Sequence, residues 1–276
     1  LVVNDVTQLN PVLVGKVINP KNAAEIIEAI KSTKGPISIG GGRNSQGGQT
    51  AFPDSLHIDM REFNRVLYLD VVEKLVTVQA GIRWRQLQEY IDPYDLSVKI
   101  MQTYANFTVG GSLSVNVHGR YMGEGPMIHS IHSFKIVLAD GSEKLVDEQL
   151  EPELFFAAIG GCGAVGVVTE VTLKLETNVK VKRQTQDLPV EDYPSYFFGE
   201  IRDDRQVIFH NADLFPPKYD GVRSVSWRKT DEALTVNERL IPENQEYWWQ
   251  PRVADFVAAS TFGKWLRQYI LEPVLY

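Results

Sequence analysis

The sequence predicts an α+β fold, because β-α-β connections and antiparallel hairpins occur in the same chain. A strand–helix–strand pattern covers residues 12–39, hairpin patterns cover 66–80 and 134–146, and a helix followed by a long apolar strand covers 152–175. With 276 residues, of which 43% are hydrophobic and 23% charged, the chain has the composition of a globular protein with one large domain or two smaller ones.

The first β-α-β element is defined by its cap and its apolar face. An apolar strand over 12–18 ends at Pro20, and Asn22 is suited to cap a helix that has Glu25 three residues further on. One face of this helix is apolar and has helical spacing: Ala23, Ile26, Ile27 and Ile30. Gly35-Pro36 ends the helix, and a short strand at Ile37 follows.

That strand leads into a glycine-rich loop, PISIGGGRNSQGGQT, at residues 36–50. Glycines let the main chain approach a ligand and adopt positive φ, so successive N–H groups can surround a phosphate-type anion. The loop adds a charge and three polar side chains: Arg43, Asn44, Ser45 and Gln46. Another strand follows at 56–60 instead of a helix, which argues against a nicotinamide-type Rossmann site. An ordinary strand-to-loop exit is the alternative interpretation.

Two further stretches are rich in small residues. The stretch QTYANFTVGGSLSVNVHGRYM at 102–122 carries dense hydrogen-bonding groups in an apolar frame, to be satisfied by a ligand or by a glycine-rich turn with internal capping. The stretch PELFFAAIGGCGAVGVVTE at 152–170 begins as a helix and then lets the backbone pass close to something flat or bulky. We interpret its cysteine, Cys162, as a small buried residue among glycines.

The intervening segments have simple local signals. Residues 66–80 are expected to form a hairpin, and Trp84, Leu87 and Ile91 mark a short helix that ends at Asp92-Pro93. Asp140-Gly141 is typical of a two-residue hairpin turn within 134–146.

Charge and composition exclude several classes of function. A net charge of −7 and a pI near 5.3 argue against a nucleic-acid partner. One cysteine rules out an internal disulfide and a multi-cysteine metal site, and no carboxylate–histidine cluster has ligand spacing, so no metal is expected. No apolar run approaches the ~18 residues of a membrane span. The compartment stays open between soluble, cytoplasmic and membrane-peripheral, since the chain opens at Leu1 and a signal could have been removed.

The last hundred residues are less informative. We expect a charged connection at 180–183, an exposed turn at 187–192, and strands at 207–209 and 222–227 around Pro216-Pro217. Within 256–275, four apolar residues have helical spacing: Trp265, Leu266, Tyr269 and Ile270. They suit a core-packing or partner helix, or else a membrane-surface helix.

The order and spacing of these motifs resemble one flavoprotein family. The glycine loop, TVGGS followed by SVNVHG, a hairpin with ADG, and LFFAAIGGCGAVGVVTEVTL are similar to the FAD-binding domain of the vanillyl-alcohol-oxidase (PCMH-type) family. Within it, GGSLSVNVHGRYMGEGP most resembles sugar-lactone (gulonolactone-type) oxidases and, more loosely, decaprenylphosphoryl-ribose oxidases. The resemblance implies an FAD-binding domain of two α/β subdomains over 1–176 and the incomplete start of an α+β substrate (cap) domain over 177–276.

The resemblance also implies which residues hold FAD. The pyrophosphate would be wrapped by the glycine loop: Gly40, Gly41, Gly42, Arg43, Asn44, Ser45, Gln46 and Gly47, with Gln49 nearby. The flavin and its phosphates would be lined by Thr108, Gly110, Gly111 and Ser112, with Asn116 and His118 toward the isoalloxazine. The adenine or ribityl end would be covered by Gly163, Gly166, Val167 and Val168.

One departure from the family concerns the flavin linkage. Many relatives carry G-H-S in the glycine loop, with the histidine bonded to the flavin 8α carbon, whereas this chain has Asn44-Ser45 at that place. An amide cannot form that bond, and Cys162 belongs to the third stretch instead of the second. We therefore expect dissociable, non-covalent FAD.

The implied chemistry is oxidation of an alcohol carbon of a sugar, sugar lactone or polyol, with hydride transfer to flavin N5 and an unidentified electron acceptor. Such a reaction needs a base, and His118 is the best candidate, with a core histidine bonded to backbone as the alternative. His129 and His132 are weaker candidates, and His57 and His210 have no supporting context. A non-catalytic flavin-binding module, an inactive fragment, or a ligand-free structural protein are the competing hypotheses.

Overall fold

The computed structural model describes residues 1–216, 218–236, 240, 256–257 and 260–271. The chain divides into two compact units, one formed by residues 1–119 and 124–178 and the other by 120–123 and 179–276. Both sheets and helices are present, so the α+β prediction is confirmed. Among the described helices, none has the length and apolar character that a membrane span requires.

The first unit contains the following elements in chain order: β1 (Val2–Val3), β2 (Val12–Leu13), β3 (Lys16–Ile18), α1 (Ala23–Ser32), β4 (Ile37–Gly40), β5 (Leu56–Asp59), β6 (Val66–Asp70), β7 (Leu75–Gln79), α2 (Trp84–Ile91), β8 (Leu96–Val98), α3 (Val109–Ser114), β9 (Ile131–Val137), β10 (Glu143–Val146), α4 (Pro152–Ala158) and β11 (Val167–Thr177). Single 3-10 turns occur at Met60–Glu62, Asp92–Tyr94 and Met127–Ser130.

The first β-α-β element forms a small parallel sheet. Its strand order is β3-β5-β4, and helix α1 connects β3 to β4. Asn22 caps α1 as predicted, since its side chain accepts the N–H of Glu25 at 3.0 Å. The prediction of one strand over 12–18 is wrong, because the chain changes partner: β2 pairs with β1, and β3 pairs with β5.

The second sheet is antiparallel and is built around the long strand β11. Its order is β10-β9-β11-β7-β6, and β8 pairs with the far end of β11. The predicted hairpins are confirmed as β6–β7 and β9–β10. At the turn of β9–β10, Gly141 has φ +78°, a conformation that favours glycine. Alternate residues of β11 are buried, so one face of this sheet packs against the interior.

A shared core places the two sheets side by side within this unit. One buried cluster contains residues of α1, of both sheets and of the turn after β5: Ile26, Ile30, Leu56, Ile58, Met60, Phe63, Ala80, Val137 and Val167. The glycine loop leaves β4 at Gly40 and the third glycine stretch ends at Val167 in β11, so this core brings the two segments close together.

The second unit contains β12 (Val181–Pro189), α5 (Tyr193–Tyr196) with a π-helical turn (Phe197–Ile201), β13 (Val207–Leu214), β14 (Gly221–Lys229), and α6 (Thr261–Leu266) with a π-helical turn (Arg267–Leu271). Its antiparallel sheet has the order β12-β14-β13, and residues 120–123 attach to β13 through the hydrogen bonds from the N–H of Met122 to the carbonyl of Ile208 and from the N–H of His210 to the carbonyl of Arg120.

Two predictions for this unit are wrong. Residues 180–183 are not a connection, because Val181 begins β12, which pairs with β14 from Val181↔Lys229 to Pro189↔Gly221. The expected turn at 187–192 therefore starts only after Pro189. Strands at 207–209 and 222–227 are confirmed and are longer than expected. Pro217 and part of the helical pattern at 256–275 lie outside the described residues.

Candidate functional site

A cavity of about 320 Å³ lies where the three glycine-containing stretches meet. Its lining includes residues from the glycine loop (Gly41, Ser45, Gln49), the second stretch (Thr108, Gly110, Gly111) and the third (Gly163, Gly166, Val168), together with Met60 and Ala80. A second cavity of about 230 Å³ adjoins it and is lined by Gly41–Ser45, Gln102, Phe107 and Ser112, among others. Because both cavities share Gly41, Ser45 and Thr108 in their linings, they lie side by side, and we refer to them as the first and the second lobe.

Contact between Gly41 and Thr108 forms the boundary of the two lobes. A Cβ atom added at Gly41 would lie 2.3 Å from Oγ1 of Thr108, so only glycine fits here without displacing its neighbour. Thr108 in turn caps α3, since its Oγ1 accepts the N–H of Gly111 at 3.2 Å. The absence of one Cβ atom therefore lets the glycine loop lie directly against the start of α3.

Helix α3 was not predicted, and its first N–H groups already have partners. The N–H of Val109 donates to the carbonyl of Ile82 at 2.8 Å, and the N–H of Gly110 donates to the carbonyl of Ala80 at 2.7 Å. Glycines at its second and third positions disfavour a helix, so these contacts and the Thr108 cap hold it in place. The start of α3 thus lines the cavity without offering free amide donors from Val109 to Gly111.

The glycine loop, by contrast, does offer free amide donors. Within the described part of the chain, the backbone N–H groups of residues 42–46 have no hydrogen-bond acceptor. Arg43, in the middle of this run, has φ +57°, which changes the direction of successive N–H groups. Gly47 differs, because its N–H donates to Oδ2 of Asp5 at 3.0 Å. The loop therefore has the donor arrangement of an anion site in which main-chain dipoles supply the attraction.

The charge of Arg43 is compensated inside the protein. Its Nη2 lies 2.6 Å from Oδ2 of the buried Asp59, and Arg61 contacts the same carboxylate at 2.6 Å. Burial alone would raise the pKa of Asp59, but the hydrogen bonds of Arg61 and the charges of both arginines outweigh it and lower that pKa. Two positive groups and one negative group leave one net positive charge behind the loop.

His57 lies beside this ion cluster and was not identified from the sequence. Its ring is completely buried, and its Nδ1 lies 2.9 Å from Oγ of Ser38. Burial, followed by the charge of Arg43, lowers the pKa of His57 to about 4, so the ring is neutral at pH 7. Its Nε2 has no partner among the described residues and faces Gly40. Only its inward position on a buried parallel strand could have drawn attention to it.

Gln102 is a second residue that sequence reasoning passed over. Its Oε1 accepts hydrogen bonds from Nε1 of Trp84 and Oγ of Ser112, both at 2.9 Å. These two donors fix the orientation of the carboxamide, so its NH₂ group lies on the opposite side, where Gln102 lines the second lobe. The side chain can therefore donate to an acceptor atom of a ligand.

The predicted site residues are distributed as follows. Those that line one or both lobes are Gly41, Gly42, Arg43, Asn44, Ser45, Gln49, Thr108, Gly110, Gly111, Ser112, Gly163, Gly166 and Val168. Those outside both linings are Gly40, Gln46, Gly47, Asn116, His118 and Val167.

Asn116 and His118 lie apart from the cavity linings. Oδ1 of Asn116 accepts the N–H of Ile128 at 3.1 Å, and Asn116 itself has φ +46°, so its amide stabilises the turn after α3. His118 is exposed, which makes the alternative of a core histidine wrong. In the second unit, His210 is buried between Tyr193 and Ser226, which contact its Nε2 and Nδ1 at 2.8 and 3.0 Å, and burial lowers its pKa.

The interpretation of Cys162 as a buried residue is wrong. Its side chain is exposed and lines the first lobe, and its φ is +53°. The N–H of Cys162 donates to the carbonyl of Ser114 at 2.8 Å, which fixes the third stretch against the end of α3. The surrounding glycines turn the chain along the surface at this point, so the thiol does not enter the core. In the described part of the chain, no group of three or more His, Cys, Asp or Glu side chains could hold a metal ion.

Comparison with known proteins indicates FAD as the cofactor. Residues 14–146 match a family model described as FAD binding domain. Over 118 residues the chain is 37% identical to L-galactono-1,4-lactone dehydrogenase of Arabidopsis thaliana, covering 42% of this chain and 19% of that protein. Over 169 residues it is 28% identical to decaprenylphosphoryl-β-D-ribose oxidase of Mycolicibacterium smegmatis, covering 59% and 36%. Over 150 residues it is 28% identical to L-gulonolactone oxidase of Mus musculus, covering 54% and 34%.

These matches span about a fifth of the plant protein and about a third of the other two. The match of residues 14–146 contains β4, the glycine loop, α3 and the β9–β10 hairpin, and so most of the residues that line the two lobes. Both the family prediction and the prediction of FAD as the cofactor are confirmed. Through this segment, which is just under half of the chain, the protein is similar to the family of FAD binding domains.

Proposed function

We propose that this chain forms the cofactor-binding part of an FAD-dependent oxidoreductase that acts on an alcohol carbon of a sugar, sugar lactone or polyol. The observation that carries the proposal is the pair of adjacent lobes between three glycine-containing stretches, bordered by the glycine loop, which carries free amide donors at residues 42–46. FAD would supply the hydride-accepting atom, flavin N5. The sugar-lactone class rests on the names of the relatives in plants and animals.

The loop would bind the diphosphate of FAD mainly through main-chain N–H groups. Five successive donors, with one net positive charge behind them, attract a diphosphate at short range. Among the described lining residues, Arg43 is the only lysine or arginine, and its head group is paired with Asp59. The contact of Gly41 with Thr108 narrows the space between the lobes, which suits the narrow linker between the two ring systems of a dinucleotide.

The two lobes differ in the side chains that they present. Apolar residues such as Ile39, Met60 and Val168 line the first lobe, while Gln102 and the amide donors of the loop line the second. Apolar walls favour the burial of a flat ring, and a fixed carboxamide favours a ring with acceptor atoms. By its resemblance to the family, the first lobe takes the adenine or ribityl end.

We propose the domain assignment 1–176 for the FAD-binding domain, with two α/β subdomains, and 177–276 for the start of a substrate domain. His118 is the proposed base for the hydroxyl proton; its exposed ring is accessible to a ligand from solvent. An exposed imidazole keeps its hydrogen-bonding atoms available, whereas His57 has its ring buried behind the loop.

An absorbance scan at about 450 nm tests the function. Purified protein should be yellow, and a sugar, lactone or polyol that acts as substrate should bleach the flavin band under anaerobic conditions. A flavin band that stays unchanged with every compound of the panel would favour a non-catalytic flavin-binding module. A colourless protein that ignores added FAD would refute both hypotheses.

Acid precipitation tests the linkage of the cofactor. Because Asn44 and Ser45 provide no group that can bond to the flavin 8α carbon, we expect all flavin in the supernatant after trichloroacetic acid treatment. Yellow colour that stays in the washed pellet would refute the prediction of non-covalent FAD.

A further inference from the structure

Asp5 is a buried carboxylate that is held by neutral donors. Only 1% of the residue is exposed, and its oxygens accept hydrogen bonds from the N–H and Oγ1 of Thr7 at 2.9 and 2.5 Å and from Nδ2 of Asn10 at 2.8 Å. Two further donors belong to the glycine loop: the N–H of Gly47 at 3.0 Å and that of Gly48 at 3.3 Å. These hydrogen bonds, that of Thr7 first, lower the pKa of Asp5 to about 2, so the group is ionised under all ordinary conditions.

The segment around Asp5 contacts the glycine loop at two places. We call residues 4–10 the N-terminal clip. Besides the bonds of Asp5 to Gly47 and Gly48, the N–H of Val6 donates to the carbonyl of Arg43 at 2.9 Å. Asn4 orders the clip itself, because its Oδ1 accepts the N–H groups of Asp5 and Asn10 at 3.0 and 3.1 Å. The clip thus holds the loop on both sides of residues 44–46.

This arrangement divides the amide donors of the loop into two sets. The donors of Gly47 and Gly48 are directed to the carboxylate of Asp5, while those of residues 42–46 have no acceptor among the described residues. A glycine-rich segment has more backbone freedom than any other, so a free loop would lose much conformational entropy when it closes on an anion. Anchored at Arg43 and at Gly47-Gly48, the intervening donors have far fewer conformations to lose.

We propose that Asp5 is a positioning residue for the diphosphate of FAD: it binds one end of the glycine loop as an internal anion and so orders the donors of residues 42–46 for the cofactor. The proposal rests on the proposed function, because it takes FAD as the ligand. It assigns to the N-terminal clip a part in cofactor affinity, although Asp5 itself lines neither lobe.

Substitution of Asp5 separates a positioning role from a purely structural one. In Asp5→Ala we expect FAD to bind roughly 10- to 100-fold more weakly, which corresponds to one or two charge-assisted hydrogen bonds to the diphosphate. Riboflavin, which has no phosphate, should bind both proteins with affinities within about twofold of each other. Fluorescence titration measures the affinities for FAD and riboflavin. ADP provides a diphosphate without a flavin, and its affinity should fall in Asp5→Ala by the same factor as that of FAD.

Asp70→Ala is the matched control. Asp70 also accepts two backbone N–H groups, those of Val72 at 3.0 Å and Glu73 at 2.9 Å, but it is the last residue of β6 and lines neither lobe. Asp70→Ala should leave the affinities for FAD, ADP and riboflavin unchanged. If Asp5→Ala does not fold, Asp5→Asn replaces it, since the amide keeps one acceptor oxygen and should show the same selective loss at smaller size.

The outcomes distinguish this inference from the proposed function. Two outcomes would overturn the inference and leave the proposed function intact. One is equal FAD affinity in the wild type and the Asp5 variant, and the other is a loss of FAD affinity and riboflavin affinity by the same factor. A wild-type protein that binds no FAD would overturn the proposed function and the inference with it. A selective loss for FAD and ADP supports the positioning role.

Discussion

Gly41→Ala is the substitution that most directly tests the geometry of the site. The added Cβ would lie 2.3 Å from Oγ1, 3.3 Å from Cβ and 3.4 Å from Cγ2 of Thr108. Ordinary contacts between such atoms begin at about 3.4 Å, so the loop and the start of α3 must separate by about 1 Å. Overpacking of this kind costs about 1–3 kcal/mol in the free energy of unfolding.

The same displacement should weaken the binding of FAD. It moves the donors of residues 42–46 away from Thr108 at the boundary of the two lobes, and a shift of about 1 Å is enough to break hydrogen-bond geometry. We expect the dissociation constant for FAD to rise by about tenfold or more. Urea unfolding monitored by circular dichroism and titration of flavin fluorescence measure the two effects separately.

Two further variants make the test quantitative. Gly35→Ala is the control for the substitution itself, because a Cβ at Gly35 has no atom within 4 Å, and it should change neither stability nor affinity appreciably. Thr108→Ala removes the cap of α3, which costs about 1 kcal/mol of stability. It also removes Oγ1 and Cγ2, two of the atoms that the Cβ added at Gly41 would contact. The double variant should therefore be less destabilised than the sum of the two single variants. Additive effects, or a Gly41→Ala protein that matches Gly35→Ala in both measurements, would refute the reasoning.

Two more predictions concern residues that the structure revealed. Because the pKa of His57 falls from 6.5 to about 4 on folding, the unfolded state binds more protons between these values, and stability should fall as the pH drops through this window. At pH 5 the loss is roughly 2 kcal/mol in the wild type and should be absent from His57→Asn, so it should appear in full in the difference between the two proteins; equal pH dependence of both would contradict the buried neutral ring. Gln102→Glu keeps the acceptor for Trp84 and Ser112 but turns the donor into a second carboxylate oxygen, so the dissociation constant for FAD should rise about tenfold or more, while the exposed Gln149→Glu should leave it unchanged.

Features with a local cause could be predicted from the sequence. Asn22 and Glu25 set the start of α1, and Asp140-Gly141 sets the β9–β10 turn, because in each case the partners are a few residues apart. Strand β12 was missed because its residues carry no clear alternation, and its pairing with β14, about forty residues later, determines its conformation. The same reason applies to α3, which depends on Ala80 and Ile82.

For the site, the residue types in the sequence indicated which segments line the cavities, but they did not indicate which side chains contact each other. Three stretches of small residues identified most of the lining, since glycine marks places where a backbone must come close to another group. Asp5, His57 and Gln102 remained hidden, because each acquires its role only through neighbours that are distant in the chain. Cys162 shows the opposite error: the glycines around it suggested a tight interior, whereas they allow a turn along the surface.

The use of main-chain amides at the loop of residues 42–46 has a consequence for sequence variation. Every amino acid except proline carries the same N–H group, so the identities of Asn44, Ser45 and Gln46 can drift without loss of these main-chain dipoles, whereas a proline at any of these positions would delete one. Proteins with different amino acids in this loop can therefore bind the same anion in the same way, and a position-by-position comparison of their side chains would underestimate how similar their sites are.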